Sequence, residues 1–299
     1  MLNLGPIKIP SKTFIIGEYL ALQGTASMIM TTEPCFEFLP VQDGGELFHP
    51  ESPAGMLSKK LELQDIQWKI TDPYNGKGGF GRSTAEYLAV QIYWMAYKRE
   101  FQNPREALLD NLTDLVSTYK SFSISETQPS GADMVAQLCG GICWYDGMNF
   151  QAQDLEWPFP GYSLTVFHTG KKIPTHDHLS KLGELELHSL IPTVVSARTS
   201  FAQANLKVFA HAINYYYDQL YAMGLSDPSV WKIVEELRTY PQILAAKGCG
   251  AMGVDTVLVL CESSDLAAVK KLASTYDLEW IASTDELCGG ASLDLGGQQ

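Results

Sequence analysis

The sequence is short of cations. Its 299 residues carry 21 Lys+Arg against 34 Asp+Glu, a formal net charge of −13. A general nucleic-acid binder needs a basic face to release phosphate counterions, and an anionic membrane surface attracts basic patches, so both functions are disfavoured. Long hydrophobic runs are missing too. No window reaches 18 consecutive apolar residues, and the most apolar stretch, Val254 to Cys261, has the length of a strand. The first residues, MLNLGPIKIPSKTF, have neither the basic nor the apolar region of a secretory signal. Cysteine is sparse: Cys35, Cys139, Cys143, Cys249, Cys261 and Cys288. Cys139 and Cys143 are close in sequence, but no second pair or histidine cluster completes a zinc site. Reduced, mostly buried thiols are expected. Internal repeats and low-complexity segments are absent. A soluble, cytoplasmic protein is expected.

What remains is enough for a large core. Hydrophobic residues make up 45% of the chain and aromatics 11%, which excludes disorder. A fold of this size buries roughly 75% of its unfolded surface. Strands are expected at 7–9, 13–22, 33–41 and 66–70, and residues 43–55, with several Gly and Pro, mark a loop. Helices are expected at 83–99 and at 104–119, the latter opened by Pro104. Past residue 140 come strands 142–145, 150–155 and 162–168, then helices 176–188, 197–223 and 228–239, the last capped by Asp227. A glycine-bearing turn at 248–253, strand 254–261, helix 264–275 and strand 278–282 close the chain. This order predicts an α+β protein of two lobes, residues 1–155 and 156–299.

The most informative segment is Gly76-Lys77-Gly78-Gly79-Phe80-Gly81-Arg82-Ser83-Thr84, between an expected strand and an expected helix. Glycines let backbone approach an anion, and free N–H groups at a helix start favour negative charge. A phosphate cradle is the physical expectation; a plain flexible connection is the alternative. Gly76, Gly78 and Gly81 satisfy G-x-G-x-x-G, but the acid that should follow about twenty residues on, Glu100, falls at a helix end. The P-loop pattern fails as well, because Arg82 stands where a lysine belongs and the two are not interchangeable.

Together with its neighbours the loop resembles the second motif of the GHMP small-molecule kinases, G-L-G-S-S-A, here Gly79-Phe80-Gly81-Arg82-Ser83-Thr84-Ala85. Pro10-Ser11-Lys12 through Gly17-Glu18-Tyr19 resembles the first motif. Pro129-Ser130-Gly131-Ala132-Asp133, running on to Gln137, resembles a third, and Lys247 to Asp255 a fourth. The G-E-Y ending, the S-G-A-D segment, the last Asp and the stretch His168 to Thr175 are similar to the phosphomevalonate kinase branch. The motifs stand in family order from residue 8 to about 260.

The resemblance implies a two-lobed fold of mixed sheets and helices with the active site between the lobes. It implies Asp133 as the acid that orients or deprotonates the attacking oxygen, worth about 10²–10⁴-fold, with Lys12 as its partner. Without it, Asp133 reads as a helix cap and Lys12 as a lysine snorkelling from a strand edge. Gly76, Gly78, Gly79, Gly81, Arg82, Ser83 and Thr84 become the nucleotide-binding residues, and Ser83 with Glu126 the metal ligands. Glu18, Ser130, Gly131, Lys171, Gly250 and Ala251 become substrate-side residues, although Glu18 also reads as half of a structural ion pair and Lys171-Lys172 as a solvated face. His176 and His178 read as surface residues, and Tyr215, Tyr216, Tyr217 and Tyr221 as packing.

The implied activity is ATP- and Mg²⁺-dependent phosphoryl transfer to a small anionic metabolite, phosphomevalonate first. Mevalonate or another acceptor of this kinase class is the alternative, and a kinase-like binder without catalysis the second. No nucleic acid or membrane partner is implied, and the chain is expected as a monomer or homodimer. Four departures bear on this. Ser11, Arg82, Met252 and Val254 stand where the family pattern has a glycine, a serine and two glycines. Finally, Lys8, Lys12, Lys77, Arg82, Lys171, Lys172 and Lys247 lie in or beside the motifs, so the scarce cations are expected to converge in one cleft.

Overall fold

A long antiparallel hairpin opens the chain: β1 (Ile7–Ile16) runs against β2 (Ser27–Val41) through a 3₁₀ turn at Leu20–Gln23. The computed structural model describes residues 4–98, 103–122, 128–171 and 186–294. β3 (Gln67–Thr71) and β4 (Ile142–Asp146) pair with β2, β5 (Gln151–Leu155) pairs with β4, and β10 (Ser292–Leu293) pairs with β1. Every pairing is antiparallel. The hairpin breaks register twice, between Phe14 and Ile16 and, more widely, between Ile9 and Ser11. Between the pairs Ile9–Phe36 and Ser11–Thr32, only Pro10 faces Glu33, Pro34 and Cys35. Pro10 has no N–H to give the ladder, so β2 bulges there. The Ser11 hydroxyl closes the gap by bonding the Thr32 carbonyl at 3.1 Å and its hydroxyl at 3.0 Å.

The second sheet has the order β7-β8-β6-β9, from β6 (Tyr162–His168), β7 (Ile243–Cys249), β8 (Thr256–Glu262) and β9 (Glu279–Ser283). Helices α2 (Arg82–Lys98) and α5 (Ala132–Cys139) pack on the first sheet, which explains why β1 is buried along nearly its whole length. Before α5 come α3 (Pro104–Asp110) and α4 (Leu112–Ser121). After β6, α6 (Ile191–Ala202) packs on α7 (Leu206–Ala222), while α7 and α8 (Pro228–Arg238) cover β7. α9 (Leu266–Ser274) lies against β9. The α+β class is as expected. No helix among the described residues is long and apolar enough to cross a membrane.

Several expected elements differ. Residues 53–60 form a helix, α1 (Pro53–Lys60), rather than loop: Ser52 caps it by accepting from Gly55 N at 3.1 Å, with Pro53 in the first turn. The helix expected over 104–119 divides at Asn111 into α3 and α4. The helix expected over 197–223 starts at 191 and divides into α6 and α7, because Ala204 turns to φ 51° and Asn205 caps the new start through Val208 N. β7 occupies 243–249, where only the following turn was expected. Most of the helix expected at 176–188 lies outside the described residues, which resume at 186 ahead of a 3₁₀ turn at Leu187–Leu190. The far end of the chain returns to the first sheet: Leu287 bridges to Thr32, Gly289 to Gly140, and β10 to β1. A single division at 155 does not anticipate this return. α8 begins as expected, with Asp227 Oδ1 accepting from Ser229 N and Val230 N.

Candidate active site

Lys12 and Asp133 meet where β1 passes the start of α5. Lys12 Nζ lies 2.9 Å from Asp133 Oδ2, with the lysine side chain largely buried. A buried ammonium needs such a partner. Asp133 stands in the first turn of α5, where an acid complements unpaired backbone N–H groups. Two residues aim it. Ser130 Oγ accepts from Ala132 N at 3.1 Å, and Gly131, at φ 79°, makes a turn so tight that a Cβ there would fall 2.9 Å from Val116 Cγ1. Ser130 and Gly131 are thus beside the pair, at the base of the helix.

The glycine-rich loop arrives at the same place. Phe80 O accepts from Lys12 N at 3.2 Å. Gly81, at φ 83°, lies against Lys12: a Cβ would come within 2.9 Å of Lys12 Cγ and of Gln137 Nε2. Gln137, fully buried on α5, ties three motifs together. Its Nε2 donates to Pro10 O at 2.9 Å and Gly81 O at 3.1 Å, and its Oε1 accepts from the Thr84 hydroxyl at 2.5 Å. Thr84 is therefore inside, serving the loop, while Ser83 is exposed at the first turn of α2, close to Tyr119. Burial pushes the Tyr119 phenol up, and the charge of Asp133 adds to it. No group of three or more His, Cys, Asp or Glu gathers to hold a metal among the described residues. What the site offers is the Ser83 hydroxyl and the Asp133 carboxylate. Few, hard oxygen donors suit Mg²⁺, which keeps waters and phosphate oxygens around it. Glu126 lies outside the described residues.

Arg82 turns to two carboxylates. Its Nη1 is 3.0 Å from Asp72 Oδ2 and its Nε 2.9 Å from Glu86 Oε1. Asp72 also accepts from Tyr74 N at 2.9 Å and Gly76 N at 3.0 Å. The pair thereby closes the base of the loop, joining its first residue to the helix that follows. Burial pushes the Glu86 carboxyl up, opposed by Arg82. At the loop's other side Lys77 Nζ reaches Glu279 Oε2 on β9 at 2.5 Å. Glu279 pairs across strands with His168, whose ring lies 5.7 Å from that of Phe80. His168 Nδ1 accepts from Gly170 N, and its Nε2 is buried without a hydrogen-bond partner among the described residues. Burial holds this imidazole below its ordinary value, with Lys77 pushing the same way and Glu279 opposing.

The fourth motif closes on the loop. A Cβ at Gly250 would lie 2.2 Å from Asp255 Oδ2, and one at Gly79 2.7 Å from Asp255 Cβ, so both glycines give Asp255 its room. Ala251 opens a 3₁₀ turn, Ala251–Gly253, beside them. Behind it, fully buried Lys247 pairs with Glu18 at 2.6 Å and donates to Phe14 O at 3.4 Å. Lys171 is exposed, and its Nζ donates to Ser229 Oγ on α8 at 2.7 Å.

The fold as a whole recurs in solved structures. The Streptococcus pneumoniae phosphomevalonate kinase in complex with phosphomevalonate and AMPPNP superposes with a TM-score of 0.76 at 13% identity, over 95% of this chain and 100% of that one. The Methanococcus jannaschii mevalonate kinase gives 0.72 at 12% identity over 96% and 99%. The Lactococcus lactis galactokinase complexed with galactose gives 0.73 at 13% over 97% and 95%. The chain has the fold of the GHMP small-molecule kinases. No protein-family model and no curated protein matches its sequence.

Within the GHMP fold the four departures have local accounts. Ser11 uses its hydroxyl to span the β1–β2 bulge, and Arg82 closes the glycine loop. Val254 has φ −93°, which any residue adopts. Met252 does take the left-handed conformation at φ 55°, held by two bonds: its N–H donates to the Tyr19 hydroxyl at 3.1 Å, and its carbonyl accepts from Asp227 N at 2.8 Å. Tyr19 in turn donates to Leu225 O. Lys8, Lys12, Lys77, Arg82 and Lys247 each hold a carboxylate, Lys8 on the half-buried Glu37, and Lys172 lies outside the described residues. His176 and His178 lie outside as well; Tyr216 and Tyr217 are core, Tyr215 and Tyr221 exposed. Gln137, Asp72 and Glu279 had no sequence signal as site residues, since each acts through a contact made only in the fold.

Proposed function

We propose that this protein is an ATP- and Mg²⁺-dependent phosphotransferase that phosphorylates a small anionic metabolite, with phosphomevalonate converted to diphosphomevalonate. The observation that carries this reading is the Lys12–Asp133 pair standing against Gly81 of the glycine loop. Phosphoryl transfer asks mainly for positioning and charge neutralisation, and this geometry supports both. Backbone N–H groups of Gly76 to Thr84 would cradle the nucleotide phosphates. Ser83 would face Mg²⁺, with Glu126 as the proposed second ligand. Asp133 would take or orient the acceptor proton while Lys12 neutralises the phosphoryl oxygens. Ser130, Gly131, Gly250, Ala251 and Lys171 would line the acceptor, with Glu18 held behind them by Lys247. A Mg²⁺ held at Ser83 would supply positive charge to offset that of the phosphates.

The structure in complex with phosphomevalonate and AMPPNP supports the choice of acceptor, as does the likeness of His168 to Thr175 to that branch. A coupled ADP-release assay over a panel of acceptors tests it. Turnover of phosphomevalonate well above mevalonate and galactose is expected. Turnover of mevalonate with none of phosphomevalonate would overturn the acceptor, and no ADP release with any of them would overturn the activity.

A further inference from the structure

Two pairs of cysteines lie close enough within the fold for each thiol to shift the titration of the other. Cys139 at the end of α5 neighbours Cys143 on β4, and both are buried. Cys35 on β2 neighbours Cys288, and both are partly exposed. The backbone explains the second meeting. The bulge opposite Pro10 lifts Cys35 out of the β1–β2 ladder. The returning end of the chain then brings Cys288 alongside: Leu287 bridges to Thr32, and Cys288 N donates to Thr31 O at 3.4 Å. Residues from opposite ends of the sequence thus present two thiols to each other at a surface that solvent reaches.

We propose that Cys35 and Cys288 form a thiol–disulfide exchange site that takes small disulfides of the glutathione class and closes into an intramolecular disulfide. Cys35 is the attacking thiol. Cys288 beside it holds it below the ordinary thiol value, assisted by Lys8, against the opposing effects of burial, Glu33 and Glu37, whereas Cys35 and burial push Cys288 up. In the first step the Cys35 thiolate attacks one sulfur of the small disulfide, forming a mixed disulfide and releasing one small thiol. In the second, the Cys288 sulfur attacks that of Cys35 and releases the second small thiol. Two protein thiols lose two electrons and two protons, and one small disulfide becomes two thiols. The buried Cys139–Cys143 pair gives no such access. The site also adjoins the glycine loop: the Pro34 carbonyl accepts from the Tyr74 hydroxyl at 2.6 Å, and Tyr74 stacks on Phe80 at 4.0 Å.

The test incubates the full chain with oxidised glutathione, then maps its cysteines by mass spectrometry and measures its Tm. A Cys35–Cys288 linked peptide is expected, reversed by dithiothreitol. Because the bond closes a very long loop, Tm should rise by about 5–10 °C over the reduced chain. Cys288→Ser should stop at one glutathione on Cys35, and Cys35→Ser should leave Cys288 unmodified under the same conditions. The proposal is overturned if glutathione attaches separately to the two cysteines without a link, if Cys139–Cys143 links first, or if the linked chain melts below the reduced one.

Discussion

The Thr84 hydroxyl donates to Gln137 Oε1 at 2.5 Å, so the helix that follows the glycine loop is fastened to the helix that carries Asp133. The same amide donates to Pro10 O and Gly81 O, which adds the strand carrying Lys12. One fully buried side chain therefore fixes the spacing between the candidate acid, its lysine and the anion loop. Gln137→Leu keeps the volume but takes the side-chain donor from the Pro10 carbonyl, while Gly81 O keeps Ala85 N and the Thr84 hydroxyl. It should cost about 1–3 kcal/mol, read as a lower midpoint of denaturant unfolding with an unchanged slope.

Arg82 closes the loop through Asp72 and Glu86. Arg82→Ser should raise KM for ATP about 3- to 10-fold, the equivalent of roughly 1 kcal/mol, with kcat nearly unchanged. A fall in kcat with KM unchanged would mean that the guanidinium touches the transferring phosphoryl group after all.

The Lys247–Glu18 pair joins a fully buried lysine on β7 to a largely buried carboxylate in the turn after β1. Removing one partner strands a buried charge, so Lys247→Met or Glu18→Leu alone should destabilise by about 3–5 kcal/mol. The double variant should recover most of that loss in chemical denaturation. Equal losses in all three would show that the pair contributes through packing alone.

His168 gives the fold a pH dependence with a definite sign. Its folded-state pKa lies below the unfolded value because burial disfavours the imidazolium. A neutral histidine therefore contributes stability that is fully present above the unfolded value, near 6.5. That stability is lost as pH falls below 6.5 toward the folded value. His168→Asn keeps an acceptor for Gly170 N and should flatten the fall in stability between about pH 7 and 5 relative to wild type.

The legible parts of the fold were those whose signal is local. The strand Tyr162–His168 alternates and is bounded by turns, and Asp227-Pro228 announces its helix; both lie where the sequence placed them. α1 was hidden because Gly55, Pro50 and Pro53 mimic a loop, although Ser52-Pro53 is a helix start. Gly55 is there for closeness, since a Cβ would fall 2.1 Å from His49 O. β7 was hidden because Lys247 interrupts its apolar run, and only the fold supplies Glu18 as partner. Of the site, Lys12, Asp133 and the glycines were legible as motif positions. Gln137, Asp72 and Glu279 were not, because their roles depend on distant backbone.

The most direct test is the turnover of Asp133→Ala in the ADP-release assay, using the acceptor that the wild-type protein phosphorylates and protein whose unfolding midpoint has been checked. The site described here predicts a loss of about 10²–10⁴-fold in kcat with the fold retained. Turnover close to wild type would contradict it and remove Asp133 from the chemistry.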